Sequence, residues 1–390
     1  MENKFKIMIV VGEASGDAHA AQLVETLRAS VADIRFEFFG STGQKMRAAG
    51  VETIVRADDL AIMGILEIGR ALPMFWRVFQ KLKAAASERR PDAVILVDFP
   101  DFNMKLAKAL KKSGNKVLYF VSPQLWAWRS YRIRTIAKYV DLLLAILPFE
   151  KKWYAERGVD HVEFVGHPLV GEVRPAISKN EFCRRYELDI SRPIVALLAG
   201  SRRKEVKKIL PPVLDAVRIL HDENKDIQFV LAVAPTRKLL EIQGVIDQTE
   251  FKLPPIRIVQ NETREAVAAA DAAVVASGTA TLETGLLNTP MVIVYKVSAH
   301  NWHTLRHIIN VPHYGLINLI AEERLAKELI QNDCTGPMIA DEVLHLLEPR
   351  VNREFRRRLA KITDSLGNGG ASERAAEAIL RELRVAARNR

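Results

Sequence analysis

Short, almost uninterrupted apolar runs recur along the chain, each followed by a polar or glycine-bearing break and then a helix-compatible stretch. In the first half these runs are "KIMIVV" (6–11), "RFEFF" (35–39), "DAVILVD" (92–98), "KVLYFV" (116–121), "VDLLLAIL" (140–147) and "VEFV" (162–165). Helical patterns lie between several of them, at 17–29, 103–113 and 149–157. A strand that is apolar on both faces must be covered on both, so this alternation predicts a parallel sheet layered by helices.

The pattern breaks into Gly, Pro and polar residues at "GHPLVGEVRPAISKN" (166–180), and then the same grammar restarts. Strands are expected at 193–199, 227–233, 256–260, 272–276 and 291–297, with helices at 203–221, 236–248, 263–270 and 280–287. From about residue 338 the chain reads as helical, interrupted at "GNGG" (367–370). A chain of 390 residues is too long for one ordinary core. The expected architecture is α/β: two Rossmann-like, doubly wound domains with a cleft between them. Their bounds are placed at 1–167 and 168–350, with C-terminal helices 351–390 packing back on the first domain.

Composition narrows the function classes. With 48% hydrophobic and 27% charged residues the chain reads as soluble and globular. No window reaches the length of a membrane span, and the first apolar run is too short for a signal peptide and suits a strand. Two cysteines, Cys183 and Cys334, indicate a reducing compartment, so the expected location is cytoplasmic. A net charge of +10 favours anionic partners, namely phosphorylated substrates, an anionic membrane surface or nucleic acid. No nucleic-acid module accompanies the basic residues, so no nucleic-acid partner is expected.

In doubly wound sheets, ligands bind outside the carboxyl ends of strands, and five loops there carry candidate chemistry. In "VVGEASGDAHAAQL" (10–23), Gly12 and Gly16 bracket a loop in which Ser15 or Asp17 can cap the following helix. A substrate loop (Ser15, Gly16) and a plain cap fit equally well, and a dinucleotide fingerprint is absent. Asp98 ends an apolar strand, where partial desolvation raises a carboxyl toward a useful general base. The tryptophans of "SPQLWAWR" (122–129) suit either core filler or the wall of a sugar-binding cleft. In "LLAGSRRKEV" (197–206), Gly200 and Ser201 end a strand and Arg202 enters a first helical turn. An arginine there calls for an anionic partner, for which a pyrophosphate would serve. In "ASGTATLE" (276–283), Ser277, Gly278, Thr279 and Thr281 form a helix mouth suited to phosphate, with Glu283 one turn on to accept from ribose hydroxyls. His300, His303 and His307 share a helical spacing, but no carboxylate or cysteine completes a metal set, so no metal is expected.

The segment "IMGILEIGRALPMFWRVFQKLK" (62–83) is unusually apolar for a connection. Leu66, Ile68, Leu72, Phe75 and Trp76, flanked by Arg70, Arg77, Lys81 and Lys83, suggest a patch for anionic lipid and acyl chains. A helix pair packed on the sheet accounts for about half of these apolar residues.

Taken together, "VGEASGD", "MGILE", "VDFPDFN", "SPQLWAWR", "LPFE", "GHPL", "GSRxxEV", "ASGTATLE" and "INLI" resemble lipid-A-disaccharide synthases, in order from Val11 to about Ile320. One departure is Ala199, where the family commonly has proline; this loosens the turn before Gly200. The resemblance implies a GT-B glycosyltransferase that joins UDP-2,3-diacylglucosamine to 2,3-diacylglucosamine 1-phosphate with inversion and releases UDP. It implies action at the inner leaflet of the inner membrane of Gram-negative bacteria, as a peripheral protein without a metal or other cofactor. Carried over by motif, Asp98 is the base, Arg202 a phosphate contact and Asn318 of "INLI" another active-site residue. Two other readings stay open: another GT-B enzyme, either an epimerase or an undecaprenyl-linked GlcNAc transferase, and a non-enzymatic basic membrane-binding protein. Oligomeric state is open, with a homodimer as one option.

Overall fold

The computed structural model describes residues 3–31, 34–58, 68–298 and 312–388. The chain divides into two compact units, Met1–Val170 with Leu366–Arg390, and Gly171–Ser365.

The first unit holds a sheet of β1 (Asn3–Val10), β2 (Ile34–Thr42), β3 (Glu52–Arg56), β4 (Ala93–Val97), β5 (Val117–Phe120), β6 (Leu142–Ala145) and β7 (Val162–Phe164). Its order is β3-β2-β1-β4-β5-β6-β7, and every pairing is parallel. Between the strands run α1 (Ala14–Ser30), α2 (Gln44–Ala48), α3 (Ile68–Arg89), α4 (Pro100–Lys112), α5 (Ile133–Tyr139) and α6 (Pro148–Ala155).

The second unit repeats the plan with β8 (Ile194–Leu198), β9 (Gln228–Val233), β10 (Ile256–Gln260), β11 (Ala272–Ala276), β12 (Met291–Tyr295) and β13 (Glu328–Ile330), ordered β10-β9-β8-β11-β12-β13. Its helices are α7 (Lys179–Arg185), α8 (Arg203–Glu223), α9 (Leu239–Ile246), α10 (Thr263–Ala269), α11 (Thr279–Leu286), α12 (Leu316–Ala321), α13 (Gly336–Leu347) and α14 (Pro349–Asp364). The chain then returns to the first unit as α15 (Ala371–Arg388). The division therefore falls at Leu366 and not at residue 350, because α14 belongs with the second unit.

Alternation along β1 shows how the first sheet is covered on both faces. Ile7, Ile9 and Val11 join one core with Leu23, Val24 and Leu27 of α1 and Ile379 and Leu383 of α15. Met8 and Val10 join another with Leu82 of α3 and Leu106 and Leu110 of α4. Two strands, β3 and β13, are absent from the sequence expectation. Both are short sheet-edge strands: β3 has no buried residue, and β13 opens on the charged Glu328, so neither shows an apolar run.

Candidate functional site

Each sheet reverses its strand order once, between β1 and β4 in the first unit and between β8 and β11 in the second. At such a switch point neighbouring loops part and leave a crevice at the strands' carboxyl ends. The expected loops stand at these two points: Gly12–Ser15 and Asp98 in the first unit, Gly200–Arg202 and Ser277–Thr279 in the second.

Asp98 follows β4 directly and is half-buried. Burial, and next the Glu13 carboxylate, push its carboxyl up to about 6, against the opposing hydrogen bond from the Phe99 amide. Asp98 and Phe99 both adopt left-handed backbone, with φ of 48° and 50°, ahead of Pro100. Such a pair is strained for non-glycine residues and needs support from its surroundings. The Asp98 amide donates to the Phe120 carbonyl (3.0 Å), while the Asp98 carbonyl accepts from Tyr119 Oη (2.7 Å) and Asn103 Nδ2 (2.8 Å). The Phe99 ring packs near Phe75 and Phe102 and lies over Gly12, where a Cβ would stand 2.3 Å from it. A glycine at position 12 is thus what lets the Phe99 ring close over the loop.

The α1 loop departs from expectation. Neither Ser15 nor Asp17 caps the helix, because the N-cap is Glu13 and no side chain satisfies it. Asp17 is buried and turns to the next helix instead, accepting from the amides of Gly43 (2.8 Å), Lys45 (2.8 Å) and Met46 (3.2 Å) at the start of α2. Ser15 is exposed, while Gly16 is buried against Val97.

Of the expected lipid patch, Leu66 and the side chain of Ile68 lie outside the described residues, as do His300, His303 and His307. Leu72 and Trp76 on α3 are 61% and 62% exposed. Phe75 departs from the patch and turns inward, with its ring near Phe99 and Phe102. Trp126 donates from Nε1 to the buried Glu150 (3.1 Å), and desolvation pushes that carboxyl up to about 7. Trp128 is partly exposed under the Arg129 guanidinium.

In the second unit the loops after β8 and β11 open on a cavity of about 720 Å³. Its walls include Arg174, Gly200, Ser201, Arg202, Glu205, Pro235, Asn261, Arg264, Glu265, Ser277, Gly278, Thr279 and Glu283. Gly200 and Gly278 have φ of 105° and 145°, backbone that side-chain-bearing residues rarely adopt. Ser277 Oγ donates to the Tyr314 carbonyl (2.7 Å), and Glu283 pairs with Arg264 (3.3 Å).

Several polar groups of the expected site residues already have partners within the chain. The amides of Ser201 and Arg202 are not open to a ligand, because both donate to Glu205 Oε2 at 3.2 Å. Thr281 is fully buried and does not line the cavity: its Oγ1 donates to the Gly278 carbonyl (2.8 Å) and accepts from Leu316 N (3.1 Å). Asn318 is also fully buried. Its Nδ2 donates to the Ala326 carbonyl (2.7 Å) and Glu328 Oε1 (2.9 Å), and its Oδ1 accepts from Ala326 N (2.8 Å). With those bonds made, Asn318 fixes the turn before β13, and it does not line the cavity. Arg174, Arg264, Glu205 and Glu265 are the charged cavity residues that sequence reasoning left without a role. Of these, only Glu205 lies in a quoted motif, "GSRxxEV".

Residues 7–381 match the profile of the lipid-A-disaccharide synthetase family. The lipid-A-disaccharide synthase of Syntrophus aciditrophicus is 44% identical over 376 residues, covering 96% of this chain and 97% of the relative. That of Myxococcus xanthus is 43% identical, covering 98% and 99%. The chain belongs to the lipid-A-disaccharide synthase family. As a member it is a glycosyltransferase, and solved structures of low identity agree with it in fold. The UDP-GlcNAc 2-epimerase of Neisseria meningitidis, solved with UDP-GlcNAc, superposes with a TM-score of 0.63 at 11% identity, covering 97% of this chain and 100% of that one. The calicheamicin glycosyltransferase superposes with a TM-score of 0.61 at 16% identity, covering 98% and 99%. Among the described residues of this synthase-family chain, no helix is long and apolar enough to cross a membrane.

Proposed function

We propose that the chain condenses UDP-2,3-diacylglucosamine with 2,3-diacylglucosamine 1-phosphate, inverting the donor's anomeric carbon and releasing UDP. The family match over residues 7–381 carries this reading. In it, the Asp98 carboxylate takes the proton of the acceptor hydroxyl, whose oxygen attacks the anomeric carbon. The bond from that carbon to the diphosphate breaks, and its electron pair leaves with UDP. A carboxyl raised to about 6 is ionised at neutral pH yet basic enough to share the proton in the transition state.

The second-unit cavity, with Arg202 and the α11 mouth at Ser277–Thr279, supports the diphosphate assignment. Such groups stabilise charge gathering on a leaving diphosphate, and the reading calls on no resident metal or cofactor. Leu72 and Trp76, with the exposed Arg77 and Lys81 on the same helix, support peripheral docking on anionic lipid. The test is turnover of the diacylated UDP sugar with the monosaccharide phosphate, read as disaccharide formed and UDP released. Lack of product, with vesicle binding retained, would favour a membrane-binding protein without this activity.

A further inference from the structure

Glu205 stands where an anionic ligand would stand. Its Oε2 accepts from the amides of Ser201 and Arg202 at 3.2 Å each, and its Oε1 pairs with the Arg202 guanidinium at 3.0 Å. A capping box uses a glutamate at this position on the N-cap amide alone. Here the carboxylate also takes the preceding amide and the arginine, so that three donors of the β8 switch-point loop converge on it. The loop is shaped around it, since a Cβ at Gly200 would lie 2.9 Å from both Cβ and Oε2 of Glu205. Arg202 is otherwise open, with its side chain 83% exposed against 17% for Glu205.

The charges lining the cavity point the same way. Its cations are Arg174, Arg202 and Arg264, and its carboxylates are Glu205, Glu265 and Glu283. The signs balance, so the cavity as it stands offers a diphosphate no net positive charge. Of the three carboxylates, Glu283 is held by Arg264 and Glu265 accepts from Ala176 N (2.9 Å). Only Glu205 sits on the amides of the switch-point loop.

We propose that Glu205 is an internal competitor for the donor's diphosphate, a positioning residue that leaves the Ser201–Arg202 donors when the nucleotide sugar binds and returns as UDP departs. The inference rests on reading this cavity as the nucleotide site. A ligand that needs donors already occupied binds with an affinity reduced by the fraction of time they are free. Glu205 therefore weakens UDP as well as the donor, and its return opposes rebinding of product.

Calorimetry with UDP and with uridine, on the native chain, Glu205→Gln and Glu205→Ala, tests this. Glutamine keeps an oxygen for the amides but drops the charge, so the fold and thermal midpoint should hold. UDP affinity should rise roughly three- to tenfold in Glu205→Gln, the size of a carboxylate's interaction with a helix start and its donors. Uridine affinity should not change, and donor KM and kcat should fall together as UDP release slows. In Glu205→Ala the midpoint should drop with the lost cap while UDP still binds more tightly, opposite directions that a purely structural role would not give. UDP affinity unchanged or weakened in Glu205→Gln overturns the competitor role alone. Absence of UDP binding by the native chain overturns the nucleotide reading of the cavity and this inference with it.

Discussion

Asp98 faces opposed demands from chemistry and from stability. Its carboxyl sits at about 6 in the folded chain, raised chiefly by burial. In its proposed role as base it must be ionised, so kcat/KM should climb as pH rises through about 6 and level off above. For stability the sign is reversed. The unfolded chain releases this proton near the ordinary aspartate value, so between that value and about 6 the folded state binds more protons and stability falls as pH rises. The loss is complete above pH 6 and is on the order of 3 kcal/mol. Asp98→Asn should therefore cut turnover about a hundredfold or more, leave UDP binding intact and raise the thermal midpoint at pH 8. Half the native rate in that variant would remove Asp98 from the chemistry. Arg202→Ala should weaken UDP by roughly tenfold or more, as expected for a charge-assisted bond, with uridine affinity unchanged. Equal losses for uridine and UDP would show that Arg202 does not touch phosphate. The positions of Asp98 and Arg202 beyond β4 and β8 could be read from the sequence, because each follows the end of a continuous apolar run. Asp17, Thr281 and Asn318 could not be placed, because their partners at Gly43, Leu316 and Glu328 come close only through the fold.

Among the elements, α3 separates two readings that its sequence left mixed. Leu72 and Trp76 face solvent, whereas Phe75, one residue before Trp76, belongs to the Phe79, Phe99 and Phe102 cluster beside the Asp98 loop. Replacing Leu72 and Trp76 together with serine should reduce binding to anionic vesicles and raise KM for acylated substrates. The thermal midpoint should move little, since exposed substitutions usually cost within about 0.5 kcal/mol. Phe75→Ser should instead destabilise by about 1–3 kcal/mol, a partly buried ring lost from a packed cluster. It should also lower kcat through the Phe99 turn. A large drop in midpoint for the Leu72/Trp76 pair would place those side chains in the core. The same contrast between buried and half-exposed elements explains what the sequence revealed. The eleven expected strands stand out because their apolar runs are continuous. The edge strands β3 and β13 carry polar or charged residues that hide them from the same reasoning.

For the whole molecule, the repeated strand–helix grammar marks two doubly wound units, and the C-terminal helices 351–390 are expected to pack back on the first. Only α15, after the glycine break at 367–370, does so, while α14 stays with the second unit. Ala375, Ala376, Ile379, Leu380 and Leu383 of α15 enter the same core as Leu23, Val24 and Leu27 of α1. Arg374 Nε donates to the Val165 carbonyl (2.8 Å), and Lys116 pairs with Glu382 (2.5 Å). Burying each large side chain there is worth about 1.5–3 kcal/mol, so omitting α15 removes a sum comparable to the whole stability of an ordinary domain. The second unit is continuous from Gly171 to Ser365, and every residue lining the cavity proposed for the nucleotide, from Arg174 to Leu287, lies inside it. A fragment of residues 171–365 should therefore fold cooperatively and bind UDP within about threefold of the full chain, the margin expected when no contact to the ligand is lost. A fragment of residues 1–170 should be insoluble alone and be rescued by joining residues 366–390 to it through a flexible linker. The checks are circular dichroism melts of the fragments and calorimetry with UDP. If 171–365 folded but bound UDP far more weakly than the full chain, the nucleotide site would draw on residues of the first unit as well.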